Sequence, residues 1–354
     1  MMTLHRPGPV GVDISGRHVR AVQLDRVGAM SRVCALSVYP RLSRGTEPVE
    51  NEAARLAGVL RRQGFSGSGI VLGLPDDRLL HSVLELPARS TGAPVEQIAG
   101  VELGRVFKQD PTKLEMALWE LPTARRGGGG VQYMANACDH EGAGALIDAF
   151  EAAGLTVLAI EPRGVATARA CAAWFAPQGE STYIVDPGWN DTLLTAVSDG
   201  VIVYQRRLDG GEFRVLHAAL LPETGGDERL ADQAMEPAGG TSESSSAGTP
   251  TGTGLKVGSI VDRHVRGLVD QLRVSTEYVS RLVPSTGPGR VLIVGEYGGA
   301  AEIGQQVEQV LGVQARCLSC ADLAELPNGR YTPTALSAGV PALGLALHFA
   351  GGKA

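Results

Sequence analysis

The N-terminal part of the chain contains VGVDISGRHVRAVQL at residues 10–24, which predicts an apolar strand, a tight turn and a returning strand. The first strand ends at Asp13, and Ser15 and Gly16 form the turn. A carboxylate beside such a turn suits a site where backbone N–H groups surround a phosphate and the acid holds Mg²⁺ through water. Asp also caps ordinary turns, so this pattern needs support from the rest of the chain.

A second unit of the same form lies in the other half of the chain. Residues 182–186 read TYIVD, an apolar strand ending in Asp186, and a turn at Gly188 leads through Thr192 into the next strand. Two matched acidic turns predict an internal duplication whose turns face one cleft. With both turns present, a ligand site and simple turn capping stand as equal alternatives.

Composition limits the class of protein. The chain has 354 residues, 44% of them hydrophobic, and its net charge of −6 argues against nucleic-acid binding. It contains no apolar run of the ~18 residues that a transmembrane helix needs, and its first residues lack the apolar core of a signal peptide. These features predict a soluble, cytoplasmic protein. The five cysteines form no disulfide framework. Cys317 and Cys320 have the spacing of a redox pair or of half a zinc site, but without a second pair nearby we interpret them as incidental thiols.

The order of predicted elements indicates an α/β protein. Three antiparallel strands, a helix and a buried strand within residues 10–74 match the start of a ribonuclease-H-like fold. Residues 223–254 are rich in Gly, Ser, Thr, Glu, Ala and Pro, which predicts a flexible segment. The predicted segments are 1–78 and 154–180 for the first lobe, 79–153 for an inserted α+β subdomain, 181–222 and 255–333 for the second lobe, 223–254 as the flexible segment, and 334–354 for a terminal helix on the first lobe.

Taken in order, these motifs resemble the PilM family of cytoplasmic actin-like proteins of type IV pilus assembly and, more distantly, FtsA. The resemblance covers nearly the whole chain; each motif is loose, but their order is specific. It rests on the stretch at 10–24, on FKQDPTKLEMALWELP, on FEAAGLTVLAIEPRGVATARA, on IVDPGWNDTLLTAVSDGVIVYQRRLDGGE and on RVLIVGEYGGAAEI.

The resemblance implies a two-lobed actin-like ATPase fold with an inserted 1C subdomain. The flexible segment falls where the family builds subdomain 2B, so that subdomain is expected to be shortened or missing. The ATP and Mg²⁺ contacts that the resemblance implies are Asp13 and Asp186 for Mg²⁺ through water, Arg20, Gly16, Gly188 and Thr192 for the phosphates, and Gly295 and Gly298 for the adenosine.

Several positions depart from the family pattern. Arg17 is bulky where the family has small residues, Pro187 and Trp189 flank the second turn, and Glu296 replaces a glycine of the adenosine motif. Backbone approaches a phosphate closely only where side chains stay clear. We therefore expect ATP binding that is weak or lost and turnover that is slow at most. No residue is assigned a catalytic role.

The function implied is a scaffold of a type IV pilus or type II-like secretion assembly. Such a scaffold receives the cytoplasmic N-terminal tail of an inner-membrane partner in the cleft between the first lobe, subdomain 1A, and the inserted subdomain 1C. It reaches the membrane only through that partner. Self-association stays open. The alternatives are a sugar or acetate kinase of the same superfold, which needs an acidic base and intact glycine loops, and an FtsA-like filament protein, which needs a membrane anchor.

Overall fold

The computed structural model describes residues 7–14, 16–27, 30–42, 49–74, 78–122, 130–235, 252–284, 287–297, 301–327 and 331–351. In chain order its elements are β1 (Val10–Asp13), β2 (His18–Val27), β3 (Met30–Pro40), α1 (Val49–Arg62), β4 (Gly69–Leu74), β5 (Leu80–Pro87), α2 (Val95–Phe107), β6 (Leu114–Glu120), β7 (Gly130–Asp139), α3 (His140–Ala152), β8 (Thr156–Pro162), α4 (Arg163–Ala170), β9 (Glu180–Pro187), β10 (Thr192–Ser198), β11 (Val201–Arg207), α5 (Phe213–Leu220), α6 (Glu228–Met235), α7 (Gly252–Leu282), β12 (Gly287–Ile293), α8 (Ala301–Leu311), β13 (Gln314–Cys317), α9 (Cys320–Leu323), α10 (Pro333–Ala338) and α11 (Val340–Ala346).

Two sheets of the same design form the two lobes. The first has the strand order β3-β2-β1-β4-β8 and the second the order β11-β10-β9-β12-β13. In each sheet the strand that ends in the acidic turn is central, since β1 and β9 pair antiparallel on one side and parallel on the other. This repeated topology places Asp13 and Asp186 at equivalent points of their lobes, as the two matched turns predict.

The end of the chain lies directly on the first sheet. A Cβ added at Gly11 of β1 would lie 2.0 Å from the carbonyl oxygen of Ala342, so α11 approaches the strand as closely as glycine permits. Leu343 and Leu345 of α11 are fully buried, and burying each is worth about 1.5–3 kcal/mol. The long terminal helix expected from the sequence is divided at Gly339, because Pro341 starts a new helix and cannot continue α10.

The inserted subdomain contains an antiparallel sheet of order β5-β7-β6, covered by α2. Strand β6 lies at one edge of this sheet, so one of its sides has no partner within the sheet. Helix α3, which the predicted boundaries place in the insertion, packs elsewhere: its Leu146 and Phe150 are buried in the core of the first lobe. Its apolar stripe faces α1 and β8. Helical periodicity predicts such a stripe but does not show which part of the protein it packs against.

The predicted flexible segment is partly helical. Within its described residues, 223–235, helix α6 buries Ala231 and Met235 in the core of the second lobe. The expectation of flexibility is therefore corrected for these residues, because two apolar side chains and an ion pair between Asp232 and Arg17 of the first lobe order this short polar helix. Residues 236–251 lie outside the described residues. Between β11 and α7 the described residues form short helices and no strand.

None of the described helices has the length and apolar character needed to cross a membrane.

Candidate functional site

The two acidic turns meet at the cleft between the lobes. Asp13 and Asp186 are 1% and 4% exposed. Burial raises the pKa of Asp186, and the negative charge of Asp13 raises it further. Gly16 has φ +69°, and a Cβ added there would lie 3.4 Å from Cβ of Trp189 in the opposite turn. The structure thus brings the two turns together.

Arg20, on the strand that follows the first turn, joins both lobes through two carboxylates. Its Nη1 donates to Oδ2 of Asp13 at 2.8 Å, and its Nη2 donates to Oε2 of Glu296 at 2.5 Å. Nδ1 of His18 lies 2.7 Å from the other oxygen of Glu296. Burial by itself raises the pKa of Glu296, but hydrogen bonding to His18 and the charge of Arg20 outweigh burial and lower the pKa to about 2. Glu296 is therefore a buried carboxylate that stays ionised.

Arg163, which sequence reasoning did not single out, supports the second turn. It is the first residue of α4, and its Nη2 donates to Oδ1 of Asp191 at 2.6 Å while its Nε lies 3.4 Å from Oδ2 of Asp186. Burial raises the pKa of Asp186 to about 6, and the opposing charge of Arg163 only partly offsets it. The available signal was a basic residue directly after strand β8, at the position where a helix begins.

Three positions predicted to approach the nucleotide lie close to other parts of the protein. Gly295 has φ +87°, and a Cβ there would lie 1.9 Å from Oδ1 of Asp186. A Cβ at Gly188 would lie 2.7 Å from the carbonyl oxygen of Asp191. Thr192 is buried, and its hydroxyl donates to the carbonyl oxygen of Gly211 at 2.6 Å. The predicted Gly298 lies outside the described residues.

Arg17 extends from the first turn to the second lobe. Its Nη1 and Nη2 donate to the two carboxylate oxygens of Asp232 on α6, at 2.5 and 2.8 Å. Its guanidinium lies 4.6 Å from the ring centroid of Trp189, and Nε2 of His217 lies 3.3 Å from Asp232. Neither Asp232 nor His217 was a predicted site residue. Asp232 fell in the segment expected to be flexible, and His217 lies on α5, outside the motifs on which the predicted site rests.

The charged side chains expected to contact Mg·ATP pair with one another. The cation expected to face a phosphate, Arg20, is bound by two carboxylates, and one of them, Glu296, is an ionised group in the adenosine motif. A buried carboxylate repels a polyphosphate, and the pairing neutralises the arginine that would offset it. Among the described residues, no three His, Cys, Asp or Glu side chains are grouped so that they could hold a metal ion.

A second concave site lies between the first lobe and the insertion. It has a volume of 390 Å³, and most of its wall is apolar, with Leu74, Met116, Ile147 and Ile160 among the lining residues. Edge strand β6 contributes residues 115–117 to this groove, and α3 forms the facing wall. Asn136 contributes a polar group to the lining, with its Nδ2 donating to Gln205 at 3.0 Å.

A scan against protein-family models finds no match, and a search of the curated proteins finds none either. Among solved structures, the chain is similar to the PilM-PilN type IV pilus biogenesis complex, with a TM-score of 0.77 and 16% identity over 96% of this chain and 98% of that chain. It has the actin-like ATPase fold. Ethanolamine utilization protein EutJ from Carboxydothermus hydrogenoformans is also similar, with a TM-score of 0.53 and 15% identity over 97% of this chain and 89% of that chain. The predicted fold class, and the likeness in fold to PilM, are confirmed.

Proposed function

We propose that this protein is an actin-like scaffold of a type IV pilus or type II-like secretion assembly. Its role is to bind the cytoplasmic N-terminal tail of an inner-membrane partner, which brings it to the membrane, and its ATP site is degenerate. The likeness in fold to a chain of the PilM-PilN complex supports this assignment. The observation that carries it is the apolar groove between the first lobe and the insertion.

The groove suits an extended apolar peptide. Its volume of 390 Å³ accommodates a few apolar side chains, and each one buried there contributes about 1.5–3 kcal/mol. Edge strand β6 offers main-chain hydrogen bonds to a peptide that lies beside it. Two or three anchors together with these hydrogen bonds are consistent with a dissociation constant on the order of micromolar, after the cost of ordering the tail.

Polar side chains at the rim of the groove can orient the bound tail. Nδ1 of His140 lies 2.6 Å from Oε1 of Glu115 at the start of β6, and both side chains are more than half exposed. An exposed pair of this kind contributes little to stability. It is therefore available to contact polar groups that flank the apolar part of the tail.

The degenerate ATP site belongs to the same proposal. The engagement of Arg20 by Asp13 and Glu296, and of Arg17 by Asp232, supports a scaffold whose shape does not depend on nucleotide turnover. The same contacts argue against a sugar or acetate kinase, because such an enzyme needs a cleft that positions the γ-phosphate and an acidic base.

Calorimetry with tail peptides tests this proposal. Synthetic peptides should cover the cytoplasmic tails of the inner-membrane proteins in the organism's own pilus and secretion assemblies. Gly144 lies on α3 in the groove wall with open space around it, so Gly144→Trp is expected to fill the groove without disturbing the fold. Gly267→Trp on α7 is the matched control, since Gly267 also faces open space but lies outside the groove.

The wild type and Gly267→Trp are expected to bind one tail with equal affinity. The Gly144→Trp variant is expected to bind it at least about tenfold more weakly, which corresponds to ~1.4 kcal/mol. Failure of every tail to bind, or equal binding by both tryptophan variants, would refute the groove as the partner site.

A further inference from the structure

The Arg17 side chain makes a direct connection between the two lobes. Arg17 belongs to the turn between β1 and β2 in the first lobe, and Asp232 belongs to α6 in the second. The two terminal nitrogens of the guanidinium, Nη1 and Nη2, donate to the carboxylate at 2.5 and 2.8 Å. A two-point contact of this kind fixes orientation as well as distance and is the strongest form of ion pair between side chains.

Aromatic side chains hold this pair in place. The guanidinium of Arg17 lies over the ring of Trp189, 4.6 Å from its centroid. The ring of His217 meets Trp189 at a centroid distance of 5.1 Å and an angle of 62°, and its Nε2 lies 3.3 Å from Asp232. Cation–π contact adds to the ion pair where water is partly excluded. The second lobe thus provides the acid, the stacking ring and the supporting imidazole for one arginine of the first lobe.

A second arginine of the same hairpin makes a parallel connection. Arg20 donates to Glu296 at 2.5 Å across the cleft while it also donates to Asp13 in its own lobe. The two connections differ in burial. The side chains of Arg20 and Glu296 are 4% and 7% exposed, whereas those of Arg17 and Asp232 are 18% and 34% exposed. Only the outer pair is open to competition from water and salt.

We propose that Arg17 and Arg20 form an interlobe latch that keeps the two lobes closed without nucleotide. A ligand in a cleft closes it by contacting both walls at once, and it must be present at sufficient concentration to do so. Here the chain's own side chains make the bridging contacts. The closed state is therefore an intrinsic property of the protein, and the outer pair, Arg17 with Asp232, is the part that releases first.

Distances between spin labels on the two lobes test the latch. Labels are attached at Arg62→Cys on α1 and Arg281→Cys on α7, both exposed, in a background whose native cysteines are replaced by serine. Arg17→Ala and Asp232→Asn remove the outer pair. Asp232→Asn keeps the shape of the side chain, so it separates loss of charge from loss of folding. The matched control is Arg266→Ala, which breaks an exposed ion pair with Asp262 within α7.

The parent protein, which carries the two labels but no cleft substitution, is expected to give one short interlobe distance that Mg·ATP does not change. In Arg17→Ala and Asp232→Asn, the population with a longer distance is expected to rise roughly tenfold, because a hydrogen-bonded charge pair is lost. High salt should have the same effect on the parent, and Arg266→Ala should have none. An unchanged distance distribution in both cleft variants, or a parent that closes only when Mg·ATP is added, would overturn the latch.

Discussion

Replacing Gly295 by alanine tests the packing that defines the cleft. Gly295 follows β12 with φ +87°, and it lies against the carboxylate at the end of β9. The added Cβ would lie 1.9 Å from Oδ1 of Asp186, well inside any contact distance between these atoms. Either the carboxylate or the backbone must therefore move, and the carboxylate is buried beside Arg163.

Two terms contribute to the expected cost. A left-handed conformation costs an alanine about 1–2 kcal/mol, and an extra methyl in a packed site adds about 1–3 kcal/mol. Gly295→Ala should therefore lower the free energy of unfolding by about 2–5 kcal/mol. Gly312 has φ +66° with nothing near its Cβ position, so Gly312→Ala should lower it by only about 1–2 kcal/mol.

Urea unfolding followed by circular dichroism measures both variants. In an Asp186→Ala background the steric term disappears, so adding Gly295→Ala there should cost only the conformational term, about 1–2 kcal/mol. Equal destabilisation by Gly295→Ala and Gly312→Ala would refute the close approach. So would a cost for Gly295→Ala that stays the same with and without the Asp186 carboxylate.

Three further predictions concern the charges and ligands of the cleft. Arg20→Met leaves Asp13 and Glu296 buried without their shared cation and should lower the free energy of unfolding by about 3–5 kcal/mol. The control Arg266→Ala, at an exposed ion pair, should change it by less than about 1 kcal/mol in the same urea titration. Similar values for the two variants would contradict the bridging role of Arg20. Burial raises the pKa of Asp186 from 3.8 to about 6, so the folded protein holds this proton more tightly than the unfolded chain does. As the pH rises from about 4 to about 7, the wild type should therefore lose on the order of 2 kcal/mol of stability relative to Asp186→Asn. A constant difference in stability between the two proteins across that range would show that Asp186 does not titrate there. Millimolar Mg·ATP should raise the melting temperature by less than about 1 °C. A ligand present at a hundredfold excess over its dissociation constant would instead stabilise the protein by ~2.7 kcal/mol. A rise of several degrees would therefore contradict the degenerate site.

The fold could be predicted from the sequence because its signals are local. Apolar runs that end in Asp13 and Asp186, each followed by a turn and an alternating strand, set the conformation of the residues that carry them. Their repetition indicated two lobes of the same design, and the two sheets have that design. Two details of the prediction were less accurate. Gly339 divides the terminal helix, and α3, which was placed in the insertion, packs on the first lobe.

Tertiary structure alone decided what the polar side chains of the cleft contact. The resemblance to the PilM family implied that Asp13 is a Mg²⁺ ligand and that Arg20 faces a phosphate. In the structure Arg20 binds Asp13 in its own lobe and Glu296 in the other. The partners of Arg17 and Asp186, which are Asp232 and Arg163, were not expected at all. Spacing along the chain determines local conformation, but an ion pair forms only where two distant segments bring opposite charges together and exclude water.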